Sequence, residues 1–309
     1  MFTRRHAVSA LLSAPLFARR AMAQATPLPV VATFSILGDI VRQVGGDHVA
    51  VTNLVGPDGD AHSYAPTPAD ARALAGAKVV VVNGLGFEGW MNRLIRSSGT
   101  RAAVVTASTG VTAMKAAGGH SHGHAHGHGH AHEAQDPHAW QDVANVRLYV
   151  KAIVAGLSQA DASRSEAFAR NAAAYDATLE ALDKDIRAAI GAIPREKRRL
   201  LTTHDAFRYF AKAYEVDFLA VRGVSSESEP SAREIAALVR QIRQGKVTAL
   251  FMENISDPRS IQRIAAETGA RIGGKLYSDA LSEAGGPATT YVDMMRHNAR
   301  QIAGALAQG

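Results

Sequence analysis

Short runs of apolar, mostly β-branched residues alternate with segments of helical periodicity over the first third of the chain. The runs are typical of strands, and apolar residues recurring every three to four positions are typical of helices. Strands are predicted at Val30–Ser35, Val49–Val55, Lys78–Leu85 and Ala102–Thr106, with helices at Ile36–Val44, Pro66–Ala77 and Gly89–Ser97. Thr67 is the predicted N-cap of the second helix, with Pro68 at its first position. Strands and helices in alternation favour a parallel sheet with helices on both faces.

The same alternation returns after residue 195. Strands are predicted at Arg198–His204, Val216–Val221 and Val247–Glu253 and within the segment ARIGGKLYSDAL, and helices at 205–215, 231–245, Asp257–Thr268 and Thr289–Ala307. The pattern therefore predicts a second α/β unit built like the first.

Between the two units lies Asp161–Ile193, which is rich in alanine and contains almost no helix-breaking residues. Some 30 residues of helix are about 45 Å long. The sequence thus predicts two Rossmann-like lobes with parallel sheets, joined by one long rigid helix, with two shorter helices and a bend as the alternative. The predicted boundaries are an N-terminal lobe at 24–160, the linking helix at 161–193 and a C-terminal lobe at 194–309.

The first 23 residues have the composition of a bacterial export signal. Arg4 and Arg5 precede a mildly apolar run, Ala7–Ala18, and Ala21-Met22-Ala23 is a small-x-small cleavage pattern. Cleavage after Ala23 and a periplasmic location are expected. The paired arginines also resemble a twin-arginine signal, and an ordinary secretory signal or an uncleaved anchor is the alternative. No other apolar run reaches the length of a membrane span.

Net charge and cysteine content limit which partners and metal ligands are expected. The chain has a net charge of +6, but four of its 34 basic residues and none of its 28 acidic ones lie in the first 23 positions, which leaves +2 for the rest. No basic stripe is interleaved with aromatic residues, so nucleic acid is not an expected partner. The chain has no cysteine. Any metal it binds must therefore be held by nitrogen and oxygen ligands.

Four residues follow or lie near the predicted C-terminal ends of strands. They are His62 in GPDGDAHSYAPTPAD, His138 in DPHAW, His204 at the end of LLTTH and Asp279 in LYSDAL. Ligands of open α/β sheets bind at that edge. Three imidazoles and one carboxylate would suit a tetrahedral zinc site, or manganese less well. Taken singly, each residue is better explained as a loop or helix-capping residue, and spacing alone does not bring the four together.

Several segments resemble the periplasmic metal-binding proteins of zinc and manganese ABC importers, the ZnuA and TroA type. The matching segments are GPDGDAHSYAPTPAD, DPHAW, TTHDAFRYFAKAYE, GVSSESEPSAREI and YSDALSEAGGPATTY. The resemblance covers the chain from residue 24 onward, in order. It implies two lobes joined by one long helix, with one metal ion in the cleft between them, held at the positions of His62, His138, His204 and Asp279. Manganese-preferring members usually carry a carboxylate at the third position, so His204 implies zinc.

A tract of alternating histidines precedes the second candidate ligand. Its members are His120, His122, His124, His126, His128, His130 and His132. The intervening Gly, Ala and Ser residues do not favour a packed structure. The tract is therefore expected to be an accessory metal site that binds weakly, and low complexity without function is the alternative. Asp60 and Asp205 are candidates for orienting the ligating imidazoles.

Together these observations predict a binding protein that captures Zn²⁺ in the periplasm with high affinity and delivers it to an inner-membrane ABC permease. A monomer is expected, since a carrier that docks on a permease is most simply monomeric. Four protein ligands would leave no open position for a reacting water, which argues against an enzyme. A manganese importer component, a periplasmic zinc chaperone or store, and a zinc hydrolase are the alternatives.

Overall fold

The computed structural model describes residues 26–116, 134–224, 232–247 and 249–308. The predicted export signal and all seven histidines of the tract at 120–132 lie outside these ranges. Within them, no helix combines the length and the apolar character needed to cross a bilayer.

The first sheet is parallel and has the strand order β2-β1-β3-β4. Its strands are β1 (Leu28–Phe34), β2 (Val49–Val55), β3 (Val79–Val82) and β4 (Ala103–Thr106). In register, Val30 lies opposite both Val51 and Val79. The four valines of β3 are all buried, as expected for an inner strand of a sheet covered on both faces.

The second sheet repeats this topology with the order β6-β5-β7-β8. Its strands are β5 (Arg199–Thr202), β6 (Asp217–Ala220), β7 (Ala249–Glu253) and β8 (Ile272–Leu276), all parallel. Leu201 lies opposite both Leu219 and Leu250. The prediction of two parallel-sheet α/β lobes is therefore confirmed.

Helices connect the strands and cover both sheets. They are α1 (Ser35–Gly45), α2 (Pro68–Gly76), α3 (Met91–Ser98), α4 (Val143–Ala160), α5 (Ser165–Gly191), α6 (Arg208–Tyr214), α7 (Ala232–Gln241), α8 (Arg259–Thr268) and α9 (Tyr291–Ala307). Thr67 caps α2 as predicted, and Asp70 completes a capping box. The helix α4 lies in a part of the sequence where no element was predicted.

The long helix α5 links the lobes over 27 residues, or about 40 Å. It starts at Ser165 and not at Asp161, because Asp161 ends α4 and one 3-10 turn, Ala162–Arg164, separates the two helices. The buried residues of α5 recur every three or four positions, as the periodicity indicated. The helix contacts α1 and α4 of the first lobe and α6 and α9 of the second, so it is part of both lobes.

One hydrophobic core runs through both lobes. It includes Val80 and Leu37 of the first lobe, Leu179 of α5, and Phe251 and Met294 of the second lobe. A smaller core lies on the far face of the second sheet, under α7 and α8. The lobes are therefore joined by packing as well as by the long helix.

Candidate metal centre

The four candidate residues converge between the two sheets. One donor atom from each of His62, His138, His204 and Asp279 lies within 4.8 Å of all the others. The side chains of His138, His204 and Asp279 are completely buried, and that of His62 is 7 % exposed. Residues from both halves of the chain thus meet in one small, nearly closed space.

His62 lies in the loop after β2, and three contacts fix its position. Its backbone N–H donates to Oδ1 of Asp60 at 2.9 Å. The indole of Trp90 donates to the carbonyl of the preceding Ala61 at 2.8 Å. The ring of Phe87 meets the imidazole edge to face, with 4.7 Å between centroids. These contacts leave Nε2 facing the other ligands.

His138 precedes the 3-10 turn Ala139–Gln141 and is held by a carboxylate two residues earlier. Oδ1 of Asp136 lies 2.8 Å from Nδ1 of the ring and accepts the backbone N–H of His138 at 3.0 Å. The side-chain amide of Asn83, just after β3, donates to the carbonyl of Pro137 at 3.0 Å. Since Asp136 occupies Nδ1, Nε2 is the nitrogen that faces the centre.

His204 follows β5 and is held by Glu253, the last residue of the neighbouring strand β7. Oε2 of Glu253 lies 2.5 Å from Nδ1, a close polar contact that is not a linear hydrogen bond. Oε1 accepts the backbone N–H of His204 at 2.8 Å. Both side chains are fully buried.

Asp279 lies three residues after β8 and is tied to the first lobe through its neighbour. The carbonyl of Ser278 accepts from the indole of Trp140 at 2.9 Å and from the amide of Gln141 at 2.7 Å. Trp140 and Gln141 lie two and three residues after His138, so two ligand-bearing loops from different lobes are joined beside the centre.

Four of the separations between donor atoms are close to those of a four-coordinate metal site. Nε2 of His62 lies 3.2 Å from Nε2 of His138 and 3.1 Å from Oδ2 of Asp279. Oδ2 also lies 3.2 Å from Nε2 of His204, and Oδ1 lies 3.6 Å from Nε2 of His138. A tetrahedron with metal–ligand bonds of about 2.0–2.1 Å has edges of about 3.3 Å.

The carboxylate of Asp279 lacks a conventional partner. Among the described residues, neither of its buried oxygens makes a hydrogen bond, although three imidazoles surround them. Buried polar atoms without partners are costly and rare in folded proteins. A cation at the centre of the four donors would satisfy both oxygens and the Nε2 atom of His204, which is also without a hydrogen bond.

Without a metal ion, protons on the buried imidazoles balance the charge of the neighbouring carboxylates. Burial lowers the pKa of His138, but Asp279 and Asp136 outweigh it and raise the pKa to about 9. Burial acts in the same direction on His204, where Glu253 and Asp279 hold the pKa well above its usual range. Burial raises the pKa of Asp279, but the two imidazoles hold it well below its usual range. Two protons on the imidazoles thus carry the same charge as one divalent cation.

The carboxylates at the ring nitrogens are Asp136 and Glu253, neither of which was predicted from the sequence. Asp60 acts on the backbone of His62 and also accepts the hydroxyl of Ser63 at 2.9 Å. The carboxylate of Asp205 lies 3.9 Å from the guanidinium of Arg208. Asp136 was visible in the segment DPHAW, whereas Glu253 could be found only once the order of the strands was known.

Two α/β lobes with a buried three-histidine, one-aspartate centre between them define the class of two-lobed metal-binding proteins. The sequence model of the family described as "Zinc-uptake complex component A periplasmic" matches residues 30–305. The chain belongs to this family. The family consists of solute-binding proteins of ABC transporters, which confirms the expectation of a binding protein against the zinc hydrolase.

Known relatives cover nearly the whole chain. The manganese-binding lipoprotein MntA of Halalkalibacterium halodurans is 32% identical over 281 residues, 91% of this chain and 89% of the relative. The iron-binding protein YfeA of Yersinia pestis is 31% identical over 280 residues, 90% and 86% of the two chains. The structure of the periplasmic zinc-binding protein TroA of Treponema pallidum matches with a TM-score of 0.80 and 32% identity, over 91% of this chain and 99% of that one. The family is thus common to proteins named for three different metals.

Proposed function

We propose that this chain captures Zn²⁺ outside the cytoplasm with high affinity and delivers it to the permease of an ABC importer. His62, His138, His204 and Asp279 would be the four ligands. The observation that carries the proposal is their geometry: four donor atoms from both lobes, almost entirely buried, lie within 4.8 Å of one another, and three of their separations are 3.1–3.2 Å, close to the edge of a tetrahedral zinc site.

Zinc is favoured over manganese by the donor atoms. Neutral imidazole nitrogens suit zinc, whereas manganese prefers carboxylate, carbonyl and water oxygens. Here nitrogen supplies three of the four donors. Manganese is the second candidate, since a relative 32% identical to this chain is named for manganese.

The proposal includes the organisation of the whole chain. Residues 1–23 would be removed on export to the periplasm, the lobes would span 24–160 and 194–309, and the linking segment 161–193. The carrier would act as a monomer on an inner-membrane permease, because the family consists of ABC-transporter components.

The histidine tract at 120–132 would be an accessory that gathers zinc near the cleft. Its attachment points support this role. The N–H of Ala116 donates to the carbonyl of Ala134 at 2.8 Å, and Lys115 pairs with Gln135 in an antiparallel bridge. The chain re-enters the described structure at residue 134, two positions before Asp136, which contacts His138. The tract is therefore attached close to the candidate centre.

Calorimetric titration with zinc at neutral pH tests both parts. The protein is compared with a variant lacking residues 119–133 and with an Asp279→Ala variant. The deletion leaves two residues, Ala117 and Gly118, between the hydrogen-bonded residues Ala116 and Ala134, which is the length of a tight hairpin loop. We expect one tight site that survives the deletion and is lost in Asp279→Ala, with weaker sites lost on deletion.

Two other results would change the assignment. Loss of the tight site with the deletion would make the tract the main site and contradict the four-ligand centre. Tighter binding of Mn²⁺ than of Zn²⁺ in a competition titration would leave the centre in place but assign the second candidate metal.

A further inference from the structure

Glu253 holds both the backbone and the ring of His204. The two residues lie 49 positions apart in the sequence, on neighbouring strands. One carboxylate oxygen accepts the backbone N–H at 2.8 Å, and the other lies 2.5 Å from Nδ1. The side chains of both residues are fully buried. This carboxylate is therefore fixed, and it fixes the position of His204 in turn.

The contact at Nδ1 determines which ring nitrogen can bind a metal. An ionised carboxylate has no proton to donate, and its negative charge 2.5 Å from Nδ1 favours the tautomer of a neutral His204 with the proton on Nδ1. Nε2 then presents its lone pair to the centre, 3.2 Å from Oδ2 of Asp279. A donor in place of the carboxylate would favour the opposite tautomer, with a proton on Nε2 where the metal would bind.

Asp136 and Glu253 hold their histidines with different numbers of oxygen atoms. At His138, the single oxygen Oδ1 of Asp136 serves both the backbone N–H and Nδ1. At His204, Glu253 uses one oxygen for each contact. An amide has only one acceptor oxygen. Amide substitution can therefore preserve both contacts at His138 but must lose one of them at His204.

We propose that Glu253 is a specificity-determining positioning residue, which keeps His204 as a nitrogen ligand and thereby favours zinc over manganese. The inference rests on the proposed function of the four-ligand centre. If His204 is not held with Nε2 toward the metal, water can take its place, and an oxygen ligand suits manganese better than zinc. Loss of Glu253 should thus weaken zinc binding more than manganese binding.

The test compares Glu253→Gln with Asp136→Asn. Both replace the carboxylate that contacts Nδ1 of a ligand histidine by an amide. We expect Glu253→Gln to weaken zinc binding by about 10–100-fold, the usual cost of losing such a partner. Manganese binding should weaken less, so that the ratio of the two affinities falls. Asp136→Asn should cost clearly less zinc affinity. Glu196→Gln, an exposed change in the turn before β5, controls for loss of charge.

A double-mutant cycle separates positioning from general structural damage. If Glu253 acts through the imidazole, Glu253→Gln should change zinc affinity by less than about threefold once His204 is replaced by alanine. In the zinc-loaded protein, nitrogen NMR of the imidazoles should show His204 with the proton on Nδ1. In Glu253→Gln this single form should be lost. Circular dichroism checks that each variant is folded.

The outcomes separate this inference from the proposed function. If the unmodified chain binds zinc, loses it with His204→Ala, and is unaffected by Glu253→Gln, the inference is overturned and the proposed centre stands. A Glu253→Gln effect of equal size with and without His204 would also overturn it. If His204→Ala leaves tight zinc binding intact, the proposed centre itself is wrong.

Discussion

The contact at Nδ1 sets the orientation of the buried imidazoles of His138 and His204. Asp136 and Glu253 occupy Nδ1 of His138 and His204, so both rings present Nε2 to the same point. A carboxylate behind a ligating histidine fixes the ring orientation and increases its basicity. The ligand set is thus prepared before any ion arrives, which reduces the conformational cost of binding.

His62 is the ligand whose removal should disturb the fold least, since it lies on a loop and is slightly exposed. His62→Ala should lower zinc affinity by at least about 100-fold, because loss of only the hydrogen-bonding partner of a ligand commonly costs 10–100-fold. His48→Ala is the matched control, as His48 lies in the turn before β2, outside the cluster. Competition with a chelator of known affinity measures both. Equal losses in the two variants would contradict the ligand assignment.

Zinc binding should release protons at neutral pH. The pKa of His138 is raised to about 9 and that of His204 lies well above its usual range, so both rings are protonated in the metal-free protein at pH 7. A ligating imidazole must be neutral, so zinc displaces these protons. We expect about two protons per ion, and an affinity that rises with pH as both rings lose their protons and falls in acid. Calorimetry in buffers of different ionisation enthalpy counts the protons, and a count near zero would contradict the charge balance described above.

At the scale of elements, the capping box of α2 also supports the loop that carries His62. One oxygen of Asp70 accepts from the backbone and the hydroxyl of Thr67, at 2.6 and 2.8 Å, and from the hydroxyl of Tyr64 at 2.8 Å. Tyr64 lies only two residues after His62. The start of one helix and the position of one ligand thus depend on the same carboxylate.

Thr67→Ala removes the N-cap side chain and should cost about 0.5–2 kcal/mol of stability. In a chain of this size the melting temperature should fall by about 1.5–2 °C for each kcal/mol. Thr178→Ala is the control, because the exposed Thr178 in the middle of α5 only donates to the carbonyl of Ala174. Thermal unfolding of the metal-free proteins measures both changes. A drop in Thr178→Ala as large as in Thr67→Ala would show that the cap adds nothing specific.

The sequence predicted most elements because their signals are local. The apolar run at Lys78–Leu85 predicted β3, and the Thr67-Pro68 pair predicted the start of α2. The strand nevertheless stops at Val82, since Gly84 and Leu85 have φ angles of 87° and 55°, which a strand cannot continue. The start of the linking helix was placed at Asp161, four residues too early, because Asp161 suits a helix start as well as the helix end it occupies.

The four ligands were found in the sequence through resemblance, and their meeting depends on the fold. Spacing alone could not show that Asp279 meets His62, 217 positions earlier in the numbering. Glu253 was not predicted as part of the site, because no sequence pattern distinguishes a functional glutamate at the end of an apolar strand. Its role follows from the pairing of β5 with β7, which places it beside His204.

At the scale of the molecule, hydrogen bonds between the lobes surround the centre. The N–H of Tyr291, at the start of α9, donates to Asp39 of α1 at 2.8 Å, and its hydroxyl donates to the carbonyl of Trp140 at 2.8 Å. The N–H of Leu281 donates to the hydroxyl of Ser35 at 3.0 Å. With the shared core and α5, these contacts oppose a wide opening of the lobes, so release of the ion should involve local movement of loops.

Metal removal should therefore change the overall dimensions little. A compact chain of this length has a radius of gyration of about 19 Å, and we expect the zinc-loaded and metal-free forms to differ by less than about 1 Å in small-angle scattering. The double variant Ser35→Ala, Tyr291→Phe removes two inter-lobe hydrogen bonds with little change in shape. It should expand more than the unmodified chain when zinc is withdrawn. An expansion of several ångströms in the unmodified chain would instead show that the lobes separate as rigid bodies, and that the shared core is broken each time an ion is released.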